Sequence, residues 1–327
     1  NIEGVQIKDL DSKKEYEFHT QVIVNATGPW TDELRLLIQS EKVIRKLRGS
    51  HILFPQQRVP IQSAFTIFHP RDKRALFVIP WQGMTMVGTT DLDHPSEYEQ
   101  LKPEPFMTNE EMEYLLEAIN KLFPDLQINE KDIISSFAGL RPIVSENSTS
   151  PSKTSRAHHI FHDGCVFSIA GGKLTTFQKM AHDLIMKIQP YLPEKKACRK
   201  IISPYISNPS LLDNSSTLNR RLSGIYGAEF VNFLAESDPA DLEPLANTPY
   251  TLAEVRWALR HEMVHHLPDL MLRRTRLGLI TAQGGLSLLT TIQPLIKQEL
   301  NWSEEIFNKE IREYKQLWKD CYSLPSQ

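Results

Sequence analysis

The residues best suited to chemistry follow an apolar run at residues 165–170, which has the length and β-branched content of a buried strand. Gly171 and Gly172 come next, and Thr175-Thr176 then begin a helical pattern. Paired glycines let a ligand approach the backbone, and a helix start offers N–H groups and a positive dipole end. Lys173 adds a cation at the same turn. This segment predicts a seat for an anionic ligand or a flavin ring, although plain strand-to-helix connections explain most such turns taken alone.

A second segment has the same construction. Residues 21–26 are predicted to form a short buried strand, which ends in the turn at residues 27–30. Either Thr31 or Asp32 is expected to cap the helix that follows. Gly28 in this turn is therefore another position at which the backbone could contact a cofactor.

Several cationic side chains could bind an anion. Arg141 follows a predicted strand at residues 133–140 and precedes a proline, so its guanidinium should have a fixed position. For Arg141 and Arg156, recognition of a ligand anion and a structural ion pair are equally open, whereas Arg48 favours a structural role. His51 is either a core histidine or a proton acceptor. Asp91 is interpreted as a turn residue rather than a catalyst.

One motif suggests a metal. Residues 261–265 match H-E-x-x-H, which on a helix would place two zinc ligands one turn apart and predict a zinc hydrolase. No third ligand follows at a suitable distance, and Pro268 ends the predicted helix, so a charged helix face is favoured. The histidines at 158, 159 and 162 are interpreted as ordinary exposed histidines rather than as a metal site. The arginines at 273, 274 and 276 favour interdomain salt bridges.

Composition limits the classes of function. A chain of 327 residues suggests two domains, and its net charge of −3 gives no reason to expect nucleic acid as a partner. No apolar run is long enough to span a bilayer. Cys165, Cys198 and Cys321 lack the paired spacing of disulfides or zinc ligands, which favours a reducing compartment.

The order of predicted elements indicates a mixed domain followed by helices. A hairpin is predicted over residues 4–18, and tight turns between short strands at 43–89 predict an antiparallel sheet. Thr108 and Glu111 form a capping box before a predicted helix at 112–122, and Thr251 and Glu254 form another. Later helices are predicted at residues 222–235, 251–266, 270–289 and 303–318. The predicted domain boundary lies near 195–215.

Taken together, the motifs resemble those of the FAD-dependent glycerol-3-phosphate dehydrogenases. The resemblance covers nearly the whole chain, from about residue 15 to 320, and the motifs occur in the family's order. They are Val24-Asn-Ala-Thr-Gly-Pro-Trp-Thr-Asp32, Arg48-Gly-Ser-His51, Val87-Gly-Thr-Thr-Asp-Leu-Asp93, Gly139-Leu-Arg-Pro142, Gly171-Gly-Lys-Leu-Thr-Thr176 and Val255-Arg-Trp-Ala-Leu-Arg-His-Glu-Met263 with Arg273-Arg-Thr-Arg-Leu-Gly278. Because residues 260–263 resemble an ordinary helical motif of this family, the resemblance argues against the zinc hydrolase.

The resemblance implies a fold of the α+β or α/β class. We expect part of an FAD-binding domain with an antiparallel substrate-binding sheet at residues 1–195, the cap lying at about 43–157. An all-α C-terminal domain is expected at residues 196–327. The first motif of full-length members, a strand with a G-x-G-x-x-G turn that seats the FAD pyrophosphate, has no match here. Since the chain begins at Asn1, we expect a fragment whose upstream sequence holds that turn and which alone binds FAD weakly or not at all and is inactive.

The resemblance also implies oxidation of sn-glycerol 3-phosphate at C2 to dihydroxyacetone phosphate, with electrons passing through FAD to quinone or oxygen. Arg141 and Lys173 match positions that hold the substrate hydroxyls, Arg156 matches the phosphate-binding position, and His51 is the candidate proton acceptor. The expected backbone contacts to FAD are Gly28, Gly171, Gly172, Leu174 and Thr175.

Other readings stay open at this stage. Amine and amino-acid oxidases share the general fold, and a non-catalytic module based on the helical half is a third hypothesis. The absence of calcium-binding motifs favours a bacterial-type enzyme. We expect the enzyme to be cytoplasmic. Peripheral association with the inner face of the plasma membrane and a homodimer are compatible with the resemblance.

Overall fold

The computed structural model describes residues 3–144, 157–192, 213 and 215–325. The chain forms two compact units. The first comprises Asn1–Ser50, Thr90–Pro105 and Ala138–Cys198, and the second comprises His51–Thr89, Phe106–Phe137 and Arg199–Gln327. The expected domain boundary at 195/196 lies outside the described residues and stays a prediction. Within the described ranges, no helix has both the length and the apolar character needed to cross a bilayer.

Strands and helices are mixed up to residue 192, and the elements described from residue 215 to 325 are helices. The strands are β1 (Gly4–Lys8), β2 (Glu15–His19), β3 (Ile23–Asn25), β4 (Ile44–Pro55), β5 (Phe65–Phe68), β6 (Ala75–Trp81), β7 (Met84–Gly88), β8 (Leu92–Asp93), β9 (Ser135–Val144), β10 (His158–Asp163) and β11 (Val166–Gly171). The α-helices are α1 (Thr31–Leu37), α2 (Ser96–Leu101), α3 (Asn109–Leu122), α4 (Phe177–Ile188), α5 (Thr217–Tyr226), α6 (Phe230–Glu236), α7 (Leu252–His261), α8 (Leu277–Ile280), α9 (Leu289–Leu300) and α10 (Glu304–Cys321). This order confirms the mixed fold with a helical C-terminal region.

The first unit contains a three-stranded sheet in the order β10-β11-β3. β11 pairs antiparallel with β10 and parallel with β3. Residues 166–170 of β11 are all buried, as expected for a central strand, and α4 packs against the strand to form a small core of Phe167, Ile169 and Leu184. The predicted hairpin at the start of the chain is confirmed as β1 and β2.

The expected cap of α1 is wrong. A 3₁₀ turn at Gly28–Trp30 runs directly into the helix, so neither Thr31 nor Asp32 stands outside it as a cap. Thr31 instead donates a hydrogen bond to the Gly28 carbonyl (2.7 Å). The Asp32 carboxylate accepts hydrogen bonds from the N–H groups of Val43 and Ile44 (both 2.9 Å), which fixes the start of β4.

The second unit contains the predicted antiparallel sheet, in which β5, β6 and β7 pair in sequence and β7 pairs with residues 51–55 of β4. Helix α3 covers it and begins with the predicted capping box at Thr108 and Glu111. Their shared core includes Ile52, Leu76, Val87, Leu115 and Ile119. The C-terminal helices form a further core, and Trp81 and Phe137 pack against it.

Three of the predicted C-terminal helices differ from expectation. The single helix predicted at 222–235 is two helices, α5 and α6, because the chain breaks at Gly227, whose φ is +54°. The helix predicted to reach residue 266 ends at His261, and Met263 adopts a left-handed conformation with φ +54°. The continuous helix predicted at 270–289 is also wrong, because Gln283, Gly284 and Gly285 all have positive φ. A Cβ built on Gly284 would lie 2.8 Å from Cγ of Trp318 on α10. Close packing against α10 therefore requires glycine here and interrupts the helix.

Candidate active site

Two glycine turns lie at the same edge of the β3–β11 sheet. The parallel strands are aligned so that Asn25 lies opposite Ser168, and the turns at Gly28 and Gly171 each follow three residues later. The buried Asn25 amide donates hydrogen bonds to the Ser168 hydroxyl (3.1 Å) and to the Thr31 carbonyl (3.0 Å), which ties the two strand ends together. The carboxyl edge of parallel strands is where open α/β sheets bind ligands.

Both residues of the Gly171-Gly172 pair require glycine. Their φ angles are +78° and +77°, in the left-handed region. A Cβ on Gly171 would lie 2.5 Å from the Ala157 carbonyl oxygen and 3.4 Å from Cγ2 of Val144. A Cβ on Gly172 would overlap the Met180 sulfur. The end of β9 therefore lies beside this turn, three residues after Arg141.

The helix start after the glycine pair is solvent-exposed. Lys173 is extended and exposed, and a 3₁₀ turn at Leu174–Thr176 leads into α4. The Thr176 hydroxyl bridges the backbone of Lys173, accepting from its N–H (3.0 Å) and donating to its carbonyl (2.9 Å). Because Leu174 and Thr175 begin the turn, their N–H groups have no intrahelical acceptor. The Leu174 side chain is 89% exposed, so this edge is accessible to a ligand.

Arg141 is held by a partner that sequence reasoning missed. Its Nη1 donates to Oδ1 of Asp91 (3.1 Å) and to the Thr90 carbonyl (3.2 Å). Asp91 is therefore an ion-pair partner rather than a plain turn residue. The side chain of Arg141 remains 30% exposed. Contrary to expectation, β9 continues past Arg141 to Val144, so the guanidinium projects from within a strand.

Two other predicted arginines have different outcomes. Arg48 is 2% exposed and contacts Nδ1 of His94 (3.4 Å) and the ring of Tyr98, which agrees with the structural role favoured for it. Arg156 lies outside the described residues.

His51 lies on β4 in the second unit, opposite Gly88 of β7. Its ring stacks on Phe137, with centroids 4.6 Å apart and an interplanar angle of 7°. A Cβ on Gly88 would overlap the imidazole. Only glycine at position 88 leaves room for the His51 ring. The one sequence signal of this contact was the glycine in the Val87-Gly-Thr-Thr motif.

A family model described as FAD dependent oxidoreductase matches residues 1–178 of the 327-residue chain. The chain belongs to the FAD dependent oxidoreductase family. A second model, described as the C-terminal domain of alpha-glycerophosphate oxidase, matches residues 169–306 of this family member.

The relatives to which this FAD dependent oxidoreductase is similar are glycerol-3-phosphate dehydrogenases. The chain is 30% identical to an aerobic glycerol-3-phosphate dehydrogenase of Bacillus subtilis, in an alignment that covers 97% of this chain and 61% of that protein. It is 27% identical to another from Staphylococcus haemolyticus, covering 84% of this chain and 53% of that protein. A solved glycerol-3-phosphate dehydrogenase from Bacillus halodurans, complexed with FAD, is 27% identical with a TM-score of 0.76, covering 97% of this chain and 66% of that chain. The resemblance seen in the motifs is confirmed, and the chain spans less than two thirds of each relative.

The H-E-x-x-H match in this oxidoreductase does not form the helical pair that a zinc hydrolase needs. Helix α7 ends at His261, so His265 does not lie one helical turn beyond it. Nε2 of His261 instead contacts Oε2 of Glu236 (2.8 Å). In the described part of the chain, no three His, Cys, Asp or Glu side chains converge as a metal site would require.

The interdomain salt bridges expected of the arginines at 273, 274 and 276 stay a prediction. Arg273 pairs with Asp269, four residues earlier on the same segment (2.9 Å). Arg274 and Arg276 line a cavity within the second unit.

Proposed function

We propose that this chain forms part of an enzyme that oxidises sn-glycerol 3-phosphate to dihydroxyacetone phosphate with FAD as cofactor. The observation that carries the proposal is the similarity to aerobic glycerol-3-phosphate dehydrogenases along 97% of the chain. The motifs that hold Gly28, Arg141 and Lys173 lie within that span.

The carboxyl edge of the β3–β11 sheet fits a flavin. Gly28, Gly171 and Gly172 bring bare backbone to this edge, and the turn at Leu174–Thr176 presents N–H groups there. Such N–H groups and the positive end of α4 favour an electron-rich group. We assign the backbone of Gly28, Gly171, Gly172, Leu174 and Thr175 to cofactor binding. FAD, when bound, supplies the hydride acceptor for this oxidation.

The substrate carries a phosphate dianion and two hydroxyls, and cationic groups suit both. We assign Arg141 and Lys173 to the hydroxyls, where their charges would stabilise negative charge on the C2 oxygen as the C2–H bond breaks. The contact with Asp91 fixes the orientation of Arg141, which supports that role. Arg156 is assigned to the phosphate from the resemblance alone.

Oxidation of an alcohol also releases the hydroxyl proton. We assign its acceptance to His51, since a neutral imidazole is a suitable base near neutral pH. Gly88 and Phe137 hold the ring in one orientation, which supports a role that needs a fixed base.

We further propose that quinone or oxygen accepts the electrons, and that the enzyme is cytoplasmic with peripheral attachment at the inner face of the plasma membrane. We also propose that the enzyme forms a homodimer. Its domains are an FAD-domain remainder at residues 1–195 and a helical domain at residues 196–327. Turnover with a soluble quinone analogue under nitrogen, compared with peroxide formation in air, distinguishes the two acceptors.

The substrate is tested with the enzyme as its natural gene encodes it, purified with FAD. Under anaerobic conditions, sn-glycerol 3-phosphate should bleach the oxidised flavin band, whereas glycerol, which lacks the phosphate, should bleach it far more slowly. Glycine, proline and sarcosine represent the amino-acid oxidase alternative. Reduction by an amino acid and not by glycerol 3-phosphate would overturn the proposal.

A further inference from the structure

A polar cavity lies within the second unit, and it shares no residue with the proposed substrate site. Its volume is about 80 Å³. This is several times the ~10–15 Å³ that one water needs. The turn between β6 and β7 contributes Gln82, the end of α5 contributes Tyr226, and α7 with the residue after it contributes Glu254 and Glu262. Tyr250, Arg274, Thr275 and Arg276 complete the polar lining.

The charges around this cavity do not balance internally. Glu254 is already neutralised, because Arg221 donates two hydrogen bonds to its carboxylate (2.8 and 2.5 Å). That leaves the positive charges of Arg274 and Arg276 against the single carboxylate of Glu262. No ion pair within 4.0 Å joins Glu262 to either arginine in the described part of the chain. An excess of positive charge at a partly enclosed site attracts an anion.

The neighbouring groups suit an anion more than they suit water. Burial raises the pKa of Glu262, and the charges of Arg274 and Arg276 only partly oppose that shift. Burial also raises the pKa values of Tyr226 and Tyr250, and each phenol O–H is a hydrogen-bond donor.

We infer that this cavity is a binding site for a small tetrahedral oxyanion of the phosphate or sulfate class, held by Arg274 and Arg276. The lining comes from several segments of the chain: the turn between β6 and β7, the end of α5, α7 and residues 274–276. A tetrahedral anion presents acceptor oxygens in several directions, whereas a planar carboxylate presents two in one plane. The site therefore favours phosphate over acetate.

The test measures binding of inorganic phosphate to the FAD-loaded enzyme by isothermal titration calorimetry, with acetate and chloride at equal ionic strength. Arg276→Gln and Arg274→Gln should each weaken phosphate binding about tenfold or more, because each removes a charged donor. Glu262→Gln, which has nearly the same shape without the negative charge, should tighten it. The matched control is Arg273→Gln, an equal loss of charge on the same segment but outside the cavity, and it should leave phosphate affinity unchanged.

Phosphate could also occupy the proposed substrate site, and Arg141→Gln separates the two. Binding that survives Arg141→Gln and is lost in Arg276→Gln supports the cavity. The reverse pattern, equal affinities in Arg276→Gln and Arg273→Gln, or no phosphate binding beyond that of chloride would each overturn the inference. If Arg276→Gln does not fold, Arg274→Gln and Glu262→Gln still give opposite expected shifts. None of these outcomes depends on which substrate the enzyme oxidises.

Discussion

Asp91 and Asp93 lie two positions apart but contact different arginines. Asp91 contacts Arg141 (3.1 Å), whereas Asp93 accepts two hydrogen bonds from Arg45 (2.5 and 2.7 Å) and is itself 58% exposed. The Arg45 hydrogen bonds hold the pKa of Asp93 below its usual value. Only the Arg141 pair belongs to the proposed substrate site, so only that pair should affect turnover.

The residue-scale prediction compares Asp91→Asn with Asp93→Asn. Asp91→Asn keeps the shape but removes the charge that orients Arg141, and kcat/KM for glycerol 3-phosphate should fall on the order of 10-fold to 100-fold. Asp93→Asn should stay within about twofold, since exposed ion pairs contribute little. Steady-state kinetics of both variants checks this, and equal losses would mean that Asp91 acts only through stability.

Local residue patterns explain which parts of the site could be predicted. The glycine pair, the strand before it and the helix after it lie within about twenty residues, so composition and periodicity predict them. The contact of Arg141 with Asp91 joins residues 50 positions apart. The stacking of His51 on Phe137 joins residues even further apart along the chain. No local pattern carries such pairs, and only the folded sheet brings them together.

The starts and ends of helices differ in the same way: some depend on local sequence and others on tertiary contacts. The capping boxes at Thr108 and Thr251 were predictable because all their atoms lie within one turn. The early end of α7 was not, because the chain just beyond it is fixed by a distant residue: the N–H group of Leu267 donates to Oε2 of Glu310 on α10 (2.9 Å), 43 positions away. Periodicity alone continues a helix until a proline, so it placed the end five residues too late.

The turn after β11 provides the first prediction at the scale of elements. Gly171→Ala would add the strain of a positive φ, roughly 1–2 kcal/mol, and an overlap with the Ala157 backbone. Gly164→Ala is the matched control, because its φ is +64° but nothing lies within 4 Å of its built Cβ. Gly171→Ala should therefore lose more stability than Gly164→Ala and also lose bound flavin. Melting temperatures and the flavin-to-protein absorbance ratio test this, and equal behaviour of the two variants would refute the close packing.

The connection between α3 and β9 provides the second prediction at the scale of elements. Arg58 donates to Asp132 (2.7 and 3.0 Å) and to the carbonyl of Leu126 (2.7 Å), and the hydrogen bond from Arg58 lowers the pKa of Asp132. Because the folded-state pKa is depressed, this stabilisation is present above the unfolded-state pKa and is lost as pH falls through the folded-state pKa.

Asp132→Asn should therefore lower the free energy of unfolding at neutral pH by about 1 kcal/mol. In melting temperature this corresponds to about 2–4 °C. The gap to the wild type should close as the pH falls below ~4. Asp125→Asn, an exposed aspartate in the same connection, should match the wild type throughout. A gap that persists unchanged into acid would show that the carboxylate charge is not the cause.

At the scale of the whole molecule, separate cores support separate tasks. The first unit relies on the small core of Phe167, Ile169 and Leu184 beneath the strand that carries the glycine turn. The second has a larger core under its antiparallel sheet, in which Leu115 is fully buried. If the flavin binds at the carboxyl edge of the β3–β11 sheet, damage to the first core should disturb it more than equal damage to the second.

Leu184→Ala and Leu115→Ala delete the same atoms from the two cores. Each should cost about 2–5 kcal/mol, with Leu184→Ala towards the lower end because its core is small and Leu184 keeps 7% exposure. Flavin content should follow the opposite order, since Leu184 lies on α4, which begins at the glycine turn and packs on β11. The flavin-to-protein ratio of the soluble fraction, measured below the melting temperature of either variant, should fall for Leu184→Ala and stay near that of the wild type for Leu115→Ala. A greater loss of flavin in Leu115→Ala would contradict flavin binding at the edge that carries the glycine turns. It would also contradict the roles assigned to Gly171 and Lys173.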